Sequence, residues 1–535
     1  MCRAGLRGRT PTAKLPPVST LPRTPARPPK GASLLVLLAG LLSPSCSEPG
    51  SVPIQRPNVV LVVVDTLRAD AVLGAEGAVR VPNLAALAED GVVFPRSFAH
   101  YPGTVPSHTS LFSSVLPHAA GVFNNTYAVP ADLELVTERL SRAGWATGAV
   151  LSLTVLRGRG PGMSLERGFD FYLSGERPWA TADEVWDDLR EAFDALAGDP
   201  PFFLFAHLSD PHEPYHDRSP ATVPAEVRLN GEVVGRFDAS GVGSWSGEVA
   251  LREGPNRVAI EARRPLLPRT VAYRVDDHVA YGTFARSAWV EAEPTLVSAL
   301  EVPEDWPSEG SLEVVASDDA AIGLQAERYA REVTYADDYL GRLLELLVER
   351  GVYEETLVVF TSDHGEAFEE HGNRAHGFTL FDEELHVPLV IKLPAGWPER
   401  EGLAAVREDL VRHVDLAPTL LDLLDLAPLE RQQGTSLLAE VERGPLLAET
   451  HVDGTLWALR DERYKLIHDV EQDSFQMYDL EADPAESEDR YPELAGRRPG
   501  WTPRLRELAE LFTTIPEPGQ VPSDVRAHLE ALGYF

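Results

Sequence analysis

The sequence predicts an α/β protein built on a mostly parallel sheet sandwiched by helices. Three observations predict it. Residues 59–64 are an unbroken apolar run, as expected of a strand covered on both faces, and residues 202–207 read as a further strand. Amphipathic stretches of helical period separate these runs, which is how parallel strands are connected. Several runs end abruptly in polar clusters, among them Asp65-Thr66 and Asp363-His364, and in open α/β sheets ligands bind beyond the carboxyl ends of the strands.

In chain order, a strand at 59–64 is followed by amphipathic helices at 82–89 and 131–143 and a strand at 147–151. A helix at 182–196 leads to the strand at 202–207. A long helix at 324–350 precedes strands at 357–361 and 387–393. Between residues 215 and 325 the period changes to two, with Asn-Gly and Gly-Pro-Asn turn signals, and this predicts an inserted β-sandwich-like domain. After residue 394 a helix at 417–424, strands at 446–449, 457–460, 464–468 and 476–480, and a helix at 503–512 predict a small C-terminal antiparallel sheet subdomain against the edge of the core. The expected divisions are 1–50 (signal and linker), 57–215 and 323–440 (catalytic core), 216–322 (insert) and 441–535 (C-terminal subdomain).

With 535 residues, the chain exceeds one modal domain of roughly 100–150 residues. The first 47 residues are basic and free of acid, and residues 32–42 form a short apolar stretch before Ser-Pro-Ser-Cys46. That is the pattern of an export signal, with Cys46 placed for lipid attachment. The expected location is therefore periplasmic, envelope-attached or secreted. Cys2 and Cys46 are the only cysteines, so the exported chain has no internal disulfide and relies on packing and metal. The net charge of −35 argues against nucleic acid as a partner and gives no long-range attraction for an anionic substrate. Any anion that binds must be captured locally.

Asp65, Asp363 and His364 offer two carboxylates and an imidazole from two strand ends, a donor set that suits a divalent cation. Thr104 precedes Val-Pro-Ser-His108, and Pro106 suits the first turn of a helix. Its hydroxyl then sits at a positive helix terminus and, as a fourth metal ligand, loses its proton more easily. His212, in Asp-Pro-His-Glu-Pro-Tyr, and His376, in His-Gly-Phe, can bind an oxyanion or protonate a leaving oxygen. His108, one helical turn after Thr104, is a third candidate for anion contact. Asp210 and His371 are near enough in sequence to serve a second ion, whose existence the motifs leave open.

This ordered set resembles the sulfatase family of the alkaline phosphatase superfamily over about residues 57–215 and 325–490. The signature Cys-x-Pro-Ser-Arg stands here as Thr104-Val105-Pro106-Ser107-His108. The Asp-Asp pair stands as Asp65-Thr66, the Asp-Asn or Asp-His pair as Asp363-His364, and the catalytic-lysine region as His376 before Phe381-Asp382-Glu383. Tyr464-Lys465-Leu466 and residues 478–484 resemble the family's terminal subdomain. The resemblance implies a metal-dependent hydrolase of sulfate or phosphate esters acting on a small molecule or a glycan. In the family the signature Cys or Ser becomes a formylglycine aldehyde. Thr104 cannot yield it, because its carbinol carbon carries a methyl group and oxidation would stop at a ketone. A Thr-ester intermediate is implied instead, as in relatives that cleave phosphodiesters or phosphonate esters or transfer phosphoryl-linked head groups. Thr66 and His364 shift the expected ion from calcium toward manganese or zinc. Two other readings remain: a head-group transferase, and a non-catalytic glycan-binding protein using Trp245, Tyr273, Tyr281 and Trp289 of the insert.

Overall fold

The computed structural model describes residues 56–512 except 74–78, 157–164, 175–179, 197, 199–200, 214, 216–223, 231, 239–242, 251–255, 263–269, 276–277, 284, 287–295, 303–308, 318–321, 398–403 and 442. The export signal with Cys46, and Trp289, lie outside the described residues, as do the side chains of Trp245, Tyr273 and Tyr281.

Seven strands form the central sheet: β1 (Asn58–Val64), β2 (Val92–Val93), β3 (Ala146–Leu151), β4 (Phe171–Ser174), β5 (Phe202–Leu208), β6 (Thr356–Thr361) and β7 (Leu389–Lys392). Their order is β2-β7-β6-β1-β5-β3-β4. The five strands from β6 to β4 are parallel; β7 runs antiparallel to β6 and β2 antiparallel to β7. Every residue of β1, β5 and β6 is buried, which explains their lack of apolar–polar alternation.

The pleat sends odd and even residues to different cores. Val60, Val62, Val64, Leu204 and Ala206 pack with helices α4 (Ala182–Leu196) and α5 (Ile322–Glu349), which present Leu189, Phe193, Val333 and Leu340. Val59, Leu61, Val63, Phe203 and Phe205 pack on the other side. There they meet α2 (Thr104–Ser113), α3 (Val136–Arg142) and α6 (Leu416–Leu423) through Val105, Phe112, Leu140 and Leu420. The expected sandwich of helices about a mostly parallel sheet is observed.

The strands between Pro224 and Ser317 form two antiparallel sheets, of five and four strands. Beyond the core, β8 (Leu446–Thr450), β9 (Leu456–Arg460), β10 (Tyr464–Asp469) and β11 (Ser474–Asp479) make an antiparallel sheet in sequence order. One face meets the core through Ala458, Ile467 and Tyr478 against Phe98, Phe381 and Leu385. The other is covered by α7 (Trp501–Leu511), whose Leu505 and Leu508 pack on Trp457 and Met477.

Local chemistry moved two boundaries, and one strand is added. The helix expected over 131–143 starts only at Val136, where the Glu138 side chain accepts the Leu135 N–H at 2.9 Å and closes the first turn. The strand expected over 387–393 is split at Pro388, which has no N–H for a ladder. Strand β4 is an addition: four half-buried residues at the sheet edge leave too short a pattern to read.

The helix α1 (Pro82–Glu89) has no side-chain N-cap of its own. Asp337 of α5 substitutes from across the interface: its carboxylate accepts the N–H groups of Asn83 at 3.0 Å and Leu84 at 2.7 Å. Asp337→Ala should therefore lower stability by about 1–3 kcal/mol. An unchanged midpoint in chemical denaturation, at unchanged slope, would remove this cross-helix cap from the account.

Candidate active site

Register sets the site. Val63 of β1 lies beside Thr361 of β6 and His207 of β5, so three parallel strands end level with one another. Asp65, His207 and Asp363 continue the odd-numbered rows that pack against α2. The chain turns immediately after Asp65 at Thr66, whose φ of 58° is the left-handed region that a β-branched residue disfavours. Three bonds hold that turn: Thr66 donates its amide to Asp363 Oδ1 (3.3 Å) and its hydroxyl to the Asp65 carbonyl (2.7 Å), and accepts the Tyr329 hydroxyl at its own carbonyl (2.9 Å). The loop after β6 is pressed equally close, since a Cβ at Gly365 would stand 2.0 Å from the Glu383 carbonyl oxygen.

The N-terminus of α2 docks on these loops. Ser107 donates to the Asp363 carbonyl at 2.6 Å, and the Val105 amide donates to Asn125 Oδ1 at 2.8 Å. His108 donates from Nδ1 to the Thr104 carbonyl at 2.8 Å, and this nitrogen is 3.6 Å from Asp363 Oδ2. Thr104 begins the helix, fully buried, and its hydroxyl has no hydrogen-bond partner.

That hydroxyl is one of several buried atoms left without a partner. The others here are both carboxylate oxygens of Asp65, Asp363 Oδ2, and the Nε2 atoms of His108, His207 and His364. A buried polar atom without a partner costs about 1–3 kcal/mol, so such a concentration is not a packing accident. His364 Nε2 stands 3.6 Å from Asp65 Oδ1 and 3.5 Å from Asp363 Oδ2, too far for hydrogen bonds. Two metal bonds of about 2.0–2.2 Å meeting near the tetrahedral angle span a gap of that size. One donor atom from each of Asp65, Asp363 and His364 lies within 4.8 Å of the others, so the residues fit a divalent ion.

The electrostatics agree. Burial, then the nearby charges of Asp363 and Glu366, push the Asp65 carboxyl well above its ordinary value. Burial likewise raises Asp363 to about 6 and Glu366 to about 8. Burial pushes His364 and His207 far below the ordinary value, with neighbouring histidines adding to it, so both are neutral rings with a lone pair to offer. The cluster has too much negative charge and too many lone pairs, and a cation relieves both.

His212 and His376 adjoin this cluster. Their rings meet edge-on with centroids 4.9 Å apart, and the His376 ring is 4.4 Å from that of His364. His376 Nδ1 faces Glu366 Oε1 at 3.2 Å, while His212 Nδ1 donates to the Glu213 carbonyl at 2.5 Å. Burial lowers His212 to about 4 and His376 to about 3, so both are neutral donors until an anion arrives to favour their charged forms. A cavity of about 60 Å³ lined by Tyr101, Gly103, Asn125 and Gly377 lies alongside Thr104 and His376 in the chain.

With this arrangement in hand, comparison with known proteins decides the family. The sulfatase family model matches residues 57–426, well over half of the chain. The chain belongs to the sulfatase family. A model of the N-sulphoglucosamine sulphohydrolase C-terminal region matches residues 370–497. An N-acetylglucosamine-6-O-sulfatase of Bacteroides thetaiotaomicron is 24% identical over 512 residues, covering 85% of this chain and 86% of that protein. A choline-sulfatase of Rhizobium meliloti is 24% identical over 81% of both chains. Among solved structures, the phosphonate monoester hydrolase of Agrobacterium radiobacter shares the fold, with a TM-score of 0.56 at 21% identity over 85% of this chain and 96% of that one.

As a sulfatase-family hydrolase, the chain gathers the residues singled out from its sequence with two exceptions. Asp210 is committed to the Ala182 amide at 3.1 Å, at the start of α4. His371 pairs with Glu383 at 2.6 Å and with the Glu486 carbonyl. Neither falls within a group of donor atoms close enough to share an ion among the described residues. Sequence reasoning missed His207 and Glu366. His207 had a signal: a histidine on the same strand face as Phe203 and Phe205 interrupts an otherwise apolar row. Glu366 had only its place in Ser-Asp-His-Gly-Glu.

In the chelated protein, Asp65→Asn should raise the thermal midpoint, because it removes one of the crowded buried charges. It should also abolish the rise that a divalent ion gives the parent. A lower midpoint under chelation would show that the negative charge here is not in excess.

Proposed function

We propose that this sulfatase-family hydrolase cleaves a sulfate or phosphate ester by attack of Thr104 Oγ1. In this reading Asp65, Thr104, Asp363 and His364 hold one divalent ion, manganese or zinc ahead of calcium. The observation that carries the proposal is the buried, partnerless Thr104 hydroxyl at the first position of α2, among metal-ligand atoms equally without partners. When bound, the ion would supply Lewis-acid charge that favours the ionised Thr104 oxygen. The positive end of the α2 dipole adds to it.

The chain's own residues account for the rest. Thr104 Oγ1 bonds to sulfur or phosphorus as the bond to the ester oxygen breaks, and the departing oxygen takes a proton. His212 and His376 bind the non-bridging oxygens or deliver that proton, Glu366 orients the His376 ring, and His108 holds the Thr104 carbonyl. Water then cleaves the Thr ester, restoring the hydroxyl and releasing the inorganic anion. A sulfate ester on a glycan or small alcohol is the first reading, supported by the relatives. A phosphate diester or phosphonate ester is the second, favoured specifically by Thr104, which cannot form the aldehyde. The basic, apolar N-terminus supports export, with Cys46 as a lipid attachment point.

Thr104→Ala should abolish turnover, by at least about a hundredfold, at unchanged melting temperature; more than a few per cent of residual activity removes Thr104 as nucleophile. Parallel assays on aryl sulfate, aryl phosphate monoester, diester and phosphonate ester rank the substrates. Adding an acceptor alcohol distinguishes hydrolysis from transfer. His376→Gln should cost about 10²–10⁴-fold for substrates with poor leaving groups and far less for activated aryl esters. A loss independent of the leaving group would assign His376 to anion binding alone.

A further inference from the structure

We infer that the site holds a second divalent ion, bound by His108, His207 and Asp363, and that Asp65 and Asp363 bridge the two positions. One donor atom from each of His108, His207 and Asp363 lies within 4.8 Å of the others, as in the group formed by Asp65, Asp363 and His364. The two groups share Asp363. All five residues are fully buried, each with 0% exposure.

The orientation of the donors defines the second position. His108 spends its Nδ1 proton on the Thr104 carbonyl at 2.8 Å, which leaves Nε2 as a lone pair, and that atom is buried without a partner. His207 Nδ1 faces Ser152 Oγ at 3.2 Å, and its Nε2 is likewise without a partner. Metal-bound imidazoles commonly bind through one nitrogen and spend the other on a carbonyl, hydroxyl or carboxylate. Asp65 divides its two oxygens between the positions: Oδ1 is 3.6 Å from His364 Nε2, and Oδ2 is 3.6 Å from His207 Nε2. Asp363 Oδ2 stands 3.5 Å from His364 Nε2, and on its other side it faces the protonated Nδ1 of His108 at 3.6 Å. The Nε2 atoms of His207 and His364 stand too far from these carboxylate oxygens for a hydrogen bond, and without a cation between them the lone pairs repel.

Donor chemistry narrows the ion. Two imidazoles and shared carboxylates suit zinc, manganese or iron(II), whereas calcium and magnesium want oxygen. The motif residue His108 thereby takes the role of ligand, and its hydrogen bond ties the second ion to the Thr104 backbone.

The proposal builds on the first metal position, and the experiment separates the two. The full chain is stripped with chelator and reconstituted with manganese(II) alone. Ions per chain are counted by mass spectrometry and calorimetric titration, and electron paramagnetic resonance reads the coupling between ions. The expected result is two ions per chain at saturation, with a spin-coupled spectrum. His207→Leu, which suits the apolar row of Phe203 and Phe205, should retain one ion with an uncoupled spectrum; His108→Gln gives the same readout if the first variant does not fold. One ion in the parent at saturation, or two coupled ions in His207→Leu, overturns the second position and leaves the first intact. No ion in the parent overturns both.

Discussion

Uncompensated negative charge, buried where three parallel strands end, is the constraint on which the rest of the structure depends. Asp65 and Asp363 are wholly enclosed, with no Lys or Arg hydrogen-bonded or ion-paired to either among the described residues. Isolated ionised carboxylates are not tolerated in such surroundings; they protonate or acquire a counter-ion. Contrast the buried cluster of Lys465, Arg460, Asp382 and Glu486, where cationic side chains balance the acids directly at 2.8–3.1 Å. That cluster closes the joint between the C-terminal sheet and the core. The strand-end cluster is built to remain open to a cation.

The scaffold makes this openness affordable. Strands β1, β5 and β6 are held in register by parallel ladders with apolar cores on both sides, so their ends cannot drift to relieve repulsion. The tie from Ser107 to Asp363 and the Asn125 bond to Val105 fix the start of α2 in the same frame. Thr104 therefore sits where sheet geometry, helix terminus and crowded charge coincide, which is why the chemistry proposed here is assigned to it.

What could be read from the sequence followed one rule. Residues at the ends of continuous apolar runs were visible, because the change from apolar to polar marks a strand terminus: Asp65, Asp363 and His364 fall into this class. The central strands were legible for the same reason. His207 stands out in its run by interrupting the apolar row of Phe203 and Phe205, but only the register against Val63 reveals its neighbours. Glu366 lay in plain view, but its contact with His376 is made across a ten-residue loop that no periodicity describes. The short edge strand β4 depends on its pairing with β3, so local pattern could not place it.

The left-handed turn at Thr66 has an engineering consequence. Glycine would adopt that backbone freely and spare the fold a strain of order 1 kcal/mol or more. It would also free the chain just after Asp65 and delete the hydroxyl that clamps the Asp65 carbonyl. Residue 66 is thus a dial between durability and the fixed placement of Asp65, a position where a thermostabilising library and a selection for a tight hold on the proposed ion would pull in opposite directions.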